Sequence, residues 1–105
     1  MNENQWKYIP DGPICVDLSG CKYASQIHNK LKESFGFPEY YGKNWSAFWD
    51  CLRDFASSED VDRFVVVRGL DQISEDLKDY SQKMIEIMER AEKEYPVVHF
   101  VFENS

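Results

Sequence analysis

The stretch Arg63-Phe64-Val65-Val66-Val67-Arg68 decides the fold: four apolar residues run unbroken between two charges, and Gly69 ends them. Such a run predicts a strand, and its lack of polar alternation suits a parallel sheet covered by helices. Two other stretches share this character. Ile14-Cys15-Val16-Asp17-Leu18 follows the turn residues Asp11-Gly12-Pro13, and Val97 to Phe102 (VVHFVF) follows Pro96. Helical patterns fill the intervals. Ile27, Leu31 and Phe35 recur every four residues, with Ser25 placed to cap their helix and Gly36 and Pro38 to stop it. Asn44 can cap a second helix, in which Trp45, Phe48, Trp49 and Leu52 follow the 3.6-residue period. From Ser74 onward Leu77, Tyr80, Met84, Ile87, Met88, Ala91 and Tyr95 mark a long amphipathic region. Glu75 and Asp76 open it, where the helix dipole favours acids. Ser81 leaves open whether it forms one helix or two.

The order of elements predicts a small single-domain α/β fold, a three-stranded parallel sheet packed with three to four helices. The 105 residues match the common size of one domain, able to bury roughly two-thirds of its unfolded surface. The expected domain runs from residue 12 to 105. Residues 1–11 form an N-terminal arm, with Trp6 and Tyr8 hinting that part of it packs.

Hydrophobic residues at 43% and charged residues at 30% exclude disordered and fibrous classes. No apolar run approaches the ~20 residues needed to cross a bilayer. The start, MNENQWKYIPDGP, lacks the features of a secretory signal, so a cytoplasmic location without membrane contact is expected. Cys15, Cys21 and Cys51 show no CxxC spacing and suit reduced thiols in such a compartment. His28 and His99 lie on separate expected elements outside any metal-ligand pattern, and no metal or cofactor is expected. His99, inside an apolar strand, is expected to be a core histidine.

Catalysis is disfavoured. Cys51 falls on an expected core face without a histidine close in sequence, and Asp50 with Asp54 suits an ordinary solvated face. The net charge of −7 is uneven: residues 1–36 hold four charges of each sign, whereas residues 71–94 hold eight acids against four bases. Such a chain repels phosphate backbones, which argues against direct nucleic-acid binding, and is drawn to basic surfaces.

Phe37 to Asp54, FPEYYGKNWSAFWDCLRD, concentrates aromatic surface. On a helix advancing about 100° per residue, Ala47, Phe48, Cys51, Leu52 and Phe55 fall on one side, a credible core face. Ser46, Trp49, Asp50 and Arg53 fall on the other, joined at its edge by Trp45. Tyr40 and Tyr41 lie in the loop leading in, where Gly42 is expected to permit a backbone that crowded side chains would forbid. Rigid rings around a few polar groups have the composition of an interface hot spot. The plainer reading makes Trp49 a cap on the core edge and Asp50 a solvated helix charge.

Pro38 to Leu52, PEYYGKNWSAFWDCL, resembles the signature of the barstar family, intracellular protein inhibitors of ribonucleases. Ser25, His28, Leu31, the Ala91 and Glu94 region and the final strand fall in register, so the resemblance covers most of Ile14 to Phe102. It implies a three-stranded parallel sheet with helices. It also implies a non-enzymatic immunity protein, monomeric when free, that plugs the basic active site of a ribonuclease toxin as a heterodimer. Tyr40 and Trp49 would then be aromatic anchors and Asp50 a carboxylate entering a phosphate site, with Gly42 and Asn44 shaping the loop.

Two positions depart from the family pattern. Ser46 stands where the family has an acid one turn before Asp50, and Arg90 stands where it has an acid on the last helix. Glu86 and Glu94 flank Arg90 at helical spacing and offset its charge, Trp45 adds area, and Arg53 can reach an acid on a partner. The same two departures support an alternative, an interaction module of this fold whose partner is no nuclease.

Overall fold

The computed structural model describes residues 13–57 and 62–103. The expected arm lies outside the described residues. Strands β1 (Ile14–Asp17), β2 (Arg63–Arg68) and β3 (Val98–Glu103) form one parallel sheet in the order β1-β2-β3. Parallel neighbours require crossovers, and helices supply them. Helices α1 (Ala24–Phe35) and α2 (Trp45–Ser57) connect β1 to β2, and α3 (Lys78–Glu94) connects β2 to β3. This is the small α/β architecture expected from the element order, and the one that the resemblance implies.

Register aligns Ile14 with Val65 and Phe100, and Asp17 with Arg68 and Glu103. Successive side chains therefore point to opposite faces in step across the sheet. Ile14, Val16, Val65, Val67 and Val98 turn inward and join one core with Ile27, Leu31, Phe35, Phe48, Leu52, Met84 and Met88. That covered face also holds Arg63, whose guanidinium lies 5.8 Å from the Phe55 ring centroid. The core is rich in rings: Phe35 stacks on Phe37 at 5.2 Å and meets Phe55 edge-on at 5.2 Å. Fully burying each such ring stabilises the fold by about 2 to 3 kcal/mol.

The other face of the sheet is turned away from these helices. Phe64 is 48% exposed and Val101 42%, and Cys15 in the same row is exposed. An unbroken apolar run fits a pleated surface whether or not a layer covers both its faces, and here the helical layer covers one. His99 is consequently no core residue. Its ring stacks on Phe64 at 4.8 Å, and Nε2 lies 3.3 Å from Asp62 Oδ1.

Helix ends follow local chemistry. Tyr23 rather than Ser25 occupies the N-cap of α1, and Gln26 Oε1 accepts the Lys22 and Tyr23 amides at 2.7 and 3.2 Å. A side chain reaching back thus does what a capping hydroxyl would do. Gly36 ends the helix at φ 72°, as expected. A short 3-10 turn, Leu70–Gln72, precedes the long amphipathic region, which proves to be a second 3-10 turn, Glu75–Leu77, followed by one α-helix. Ser81 does not divide it, because its hydroxyl donates back to the Lys78 carbonyl at 2.9 Å.

Candidate functional site

The loop between α1 and α2 is held at several points. The Phe37 amide donates to the Lys32 carbonyl at 3.0 Å, the Tyr41 amide to that of Pro38 at 3.0 Å, and Lys32 pairs with Glu39 at 3.1 Å. Asn44 caps α2 as expected: Oδ1 accepts the Ala47 amide at 2.8 Å, and Nδ2 donates to the Gly42 carbonyl at 3.2 Å. The left-handed residue is Lys43, at φ 53°, and not Gly42. Gly42 serves closeness instead. A β-carbon there would sit 3.3 Å from both Ala47 Cβ and Asn44 Nδ2, tighter than ordinary contact.

Behind the loop, His28 is 1% exposed and bridges two tyrosines. Nδ1 lies 2.6 Å from the Tyr41 hydroxyl and Nε2 2.6 Å from that of Tyr80. A neutral imidazole satisfies both, donating through one nitrogen and accepting through the other. Burial, with the nearby Lys43 ammonium second, pushes its pKa down from 6.5 to about 4, so the neutral form is held. Burial likewise raises the Tyr41 hydroxyl above its usual range.

The Trp45 ring packs on His28 at 4.4 Å and on Tyr80 at 4.8 Å. Tyr41, in the loop and 5% exposed, and Trp45 therefore face inward, so that Trp45, expected at the edge of the displayed side, turns to the core. The reason is the histidine, which draws one hydroxyl and packs against one indole. The Trp45 Nε1 is buried without a hydrogen-bond partner among the described residues, a cost of about 1 to 3 kcal/mol offset by the ring contacts.

The outward side carries the rest. Tyr40 is 65% exposed, and Ser46, Asp50 and Arg53 are exposed along α2. Trp49 is half-buried between two guanidiniums, Arg90 of α3 at 4.4 Å from its ring centroid and Arg53 at 5.8 Å. The Arg90 Nε in turn donates to Glu94 Oε2 at 3.0 Å. A ring, a carboxylate and two cations thus share one solvent-facing patch, on a helix anchored by Phe48, Cys51, Leu52 and Phe55. The patch resembles a binding surface more than a catalytic centre. Cys51 is buried, its thiol pushed up to about 11, and so is a poor nucleophile. Among the described residues no three His, Cys, Asp or Glu converge to hold a metal ion, and no helix is long and apolar enough to cross a membrane.

Over residues 13–103 the chain matches the family described as "Barstar (barnase inhibitor)". The chain belongs to the barstar family. It is 31% identical over 81 residues to "Putative ribonuclease inhibitor YrdF" of Bacillus subtilis (strain 168), an alignment covering 77% of this chain and 86% of that protein. Barstar-family proteins are described by what they inhibit, which agrees with the expectation of a binding protein and not an enzyme.

His28 and Tyr80 were absent from the site residues expected from the sequence. His28 carried a signal, since it lies on the same helical face as Ile27, Leu31 and Phe35. Tyr80 carried one too, as a member of the amphipathic stripe from Leu77 to Tyr95, whereas the left-handed Lys43 carried none.

Proposed function

We propose that the chain is an immunity protein that binds a basic ribonuclease one to one and occludes its active-site groove with residues 38–54. The observation that carries this reading is the outward side of α2, where half-buried Trp49 stands beside exposed Asp50 with Tyr40 projecting from the loop. A groove built to bind phosphates is cationic, so a net charge of −7 steers the chain toward it and the Asp50 carboxylate takes a phosphate position. The rings of Tyr40 and Trp49 act as anchors around it. Asn44 and Gly42 fix the entry of the helix, and the His28 cluster holds the loop from behind. The family and the inhibitor relative support the same reading.

The test is titration of the purified chain into RNA-cleavage assays with barnase and with ribonucleases of its host. Stoichiometric inhibition that Asp50→Ala and Trp49→Ala both weaken is the expected result. Absence of inhibition toward every ribonuclease would sink it. A second reading, an interaction module with a non-nuclease partner, draws on the two guanidiniums at Trp49, which an all-cationic groove would repel. A stable one-to-one complex with a protein that cleaves no RNA would favour it.

A further inference from the structure

The arginines at Trp49 are out of keeping with the steering charge of the chain, and their geometry suggests a purpose. Arg90 reaches from α3 to lie 4.4 Å from the Trp49 ring centroid, and Arg53 lies 5.8 Å from it, one turn beyond Asp50 on α2. A guanidinium stacked on a ring is oriented without spending its in-plane N–H donors, which point outward from the rim of the stack. Glu94 takes the Arg90 Nε, and the Arg90 side chain is still 65% exposed. Among the described residues Arg53 has no ion-pair partner. The patch therefore presents two guanidiniums over one ring, with Asp50 exposed on the same helix.

We propose that Arg53 and Arg90 receive a carboxylate of the partner, set in the wall of the same groove that Asp50 enters. This rests on the ribonuclease-inhibitor reading and adds the chemistry of the partner's surface. A planar carboxylate matches a guanidinium fork as an isolated cation cannot. RNA cleavage also supplies a reason for an acid beside a phosphate site. The attacking hydroxyl must lose a proton, and a carboxylate is one of the side chains that takes it. The arginine pair then selects among ribonucleases. It favours a groove with an acid at this position and disfavours a groove walled only by cations, so it determines specificity where Asp50 supplies general attraction.

The test uses the full chain and the ribonuclease that a column of the immobilised chain retains from extracts of its host, assayed on a fluorogenic RNA. Inhibition constants are measured for the wild type, Asp50→Ala, Arg53→Gln, Arg90→Lys, Arg90→Gln and Arg90→Glu, with melting curves to establish folding. The expected order of inhibition is wild type, then Arg90→Lys, then Arg90→Gln, weaker by about tenfold, then Arg90→Glu, weaker again by at least about tenfold. Arg53→Gln weakens inhibition in the same direction.

A role confined to packing Trp49 would make Gln and Glu at position 90 equivalent, and that result overturns the proposal. So does inhibition by Arg90→Glu as strong as the wild type or stronger. If the wild type and Asp50→Ala differ while the arginine variants match the wild type, this proposal fails and the inhibitor reading stands. If the wild type inhibits no ribonuclease, both fall.

Discussion

Two groups of rings only a few residues apart in sequence are put to opposite uses. Tyr41 and Trp45 close inward on His28 and Tyr80, whereas Tyr40 and Trp49 stand at the surface with Asp50, Arg53 and Arg90. The inner group is held by two short hydrogen bonds and close ring contacts linking α1, the loop and α3. The outer group is held by cation–ring contacts and one ion pair, interactions worth about 1 kcal/mol or less each at exposed sites. The lesson is a division of labour: the inner rings spend their surface on fixing the loop, which leaves the outer ones free for a partner.

That division is open to attack at its strongest point first. Trp45→Ala and His28→Ala are each expected to lower stability by about 3 kcal/mol, read by urea denaturation, because one removes an indole from the cluster and the other orphans two buried hydroxyls. Acid should act on the same cluster. His28 in the folded chain titrates at about 4, below its ordinary 6.5, so below 6.5 the unfolded chain takes up a proton that the folded chain refuses. Stability contributed by this group therefore falls between pH 6.5 and about 4, by roughly 3 kcal/mol in total, and levels off below. His28→Gln should flatten that part of a pH–stability curve; an unchanged slope would place the titrating group elsewhere.

The outer group should respond in the opposite way. Asp50→Ala is expected to leave stability within about 0.5 kcal/mol and to weaken ribonuclease binding by about 2 kcal/mol or more, the scale of an interface hot spot. Calorimetry on the complex together with a melting curve checks both halves. Asn44→Ala falls between the groups: loss of the cap should cost about 1 kcal/mol of stability. The smallest effect is expected from Arg90→Gln on the free chain, at most about 1 kcal/mol, since the guanidinium lies largely in water.

Much of this was legible in the sequence. Apolar runs separated by helical patterns of crossover length were enough for a parallel sheet, and the 3.6-residue period alone put Ser46, Trp49, Asp50 and Arg53 outward and Phe48, Leu52 and Phe55 inward. Asn44 and Gly36 announced their helix ends through chemistry confined to neighbouring residues. Where the outcome depended on distant parts of the chain, the pattern was mute. Trp45 lies at the angular boundary of its helix, and only rings brought in from α1 and α3 decide that it turns inward. The face of the sheet that the helices leave is equally silent, because Val and Phe suit a pleated strand with or without a covering layer. Contact between Arg90 and Trp49 is made across two helices, and no spacing along one of them encodes it.

The side of the sheet away from the helices has a practical consequence for the chain's three sulfurs. Cys15 is exposed there, whereas Cys21 and Cys51 are buried with thiols pushed up by burial and so slow to form thiolate. A maleimide dye or resin should therefore couple at a single address on the flank away from Trp49 and Asp50. The native chain comes with its own attachment point for tethering and fluorescence work, and no cysteine need be engineered in or out.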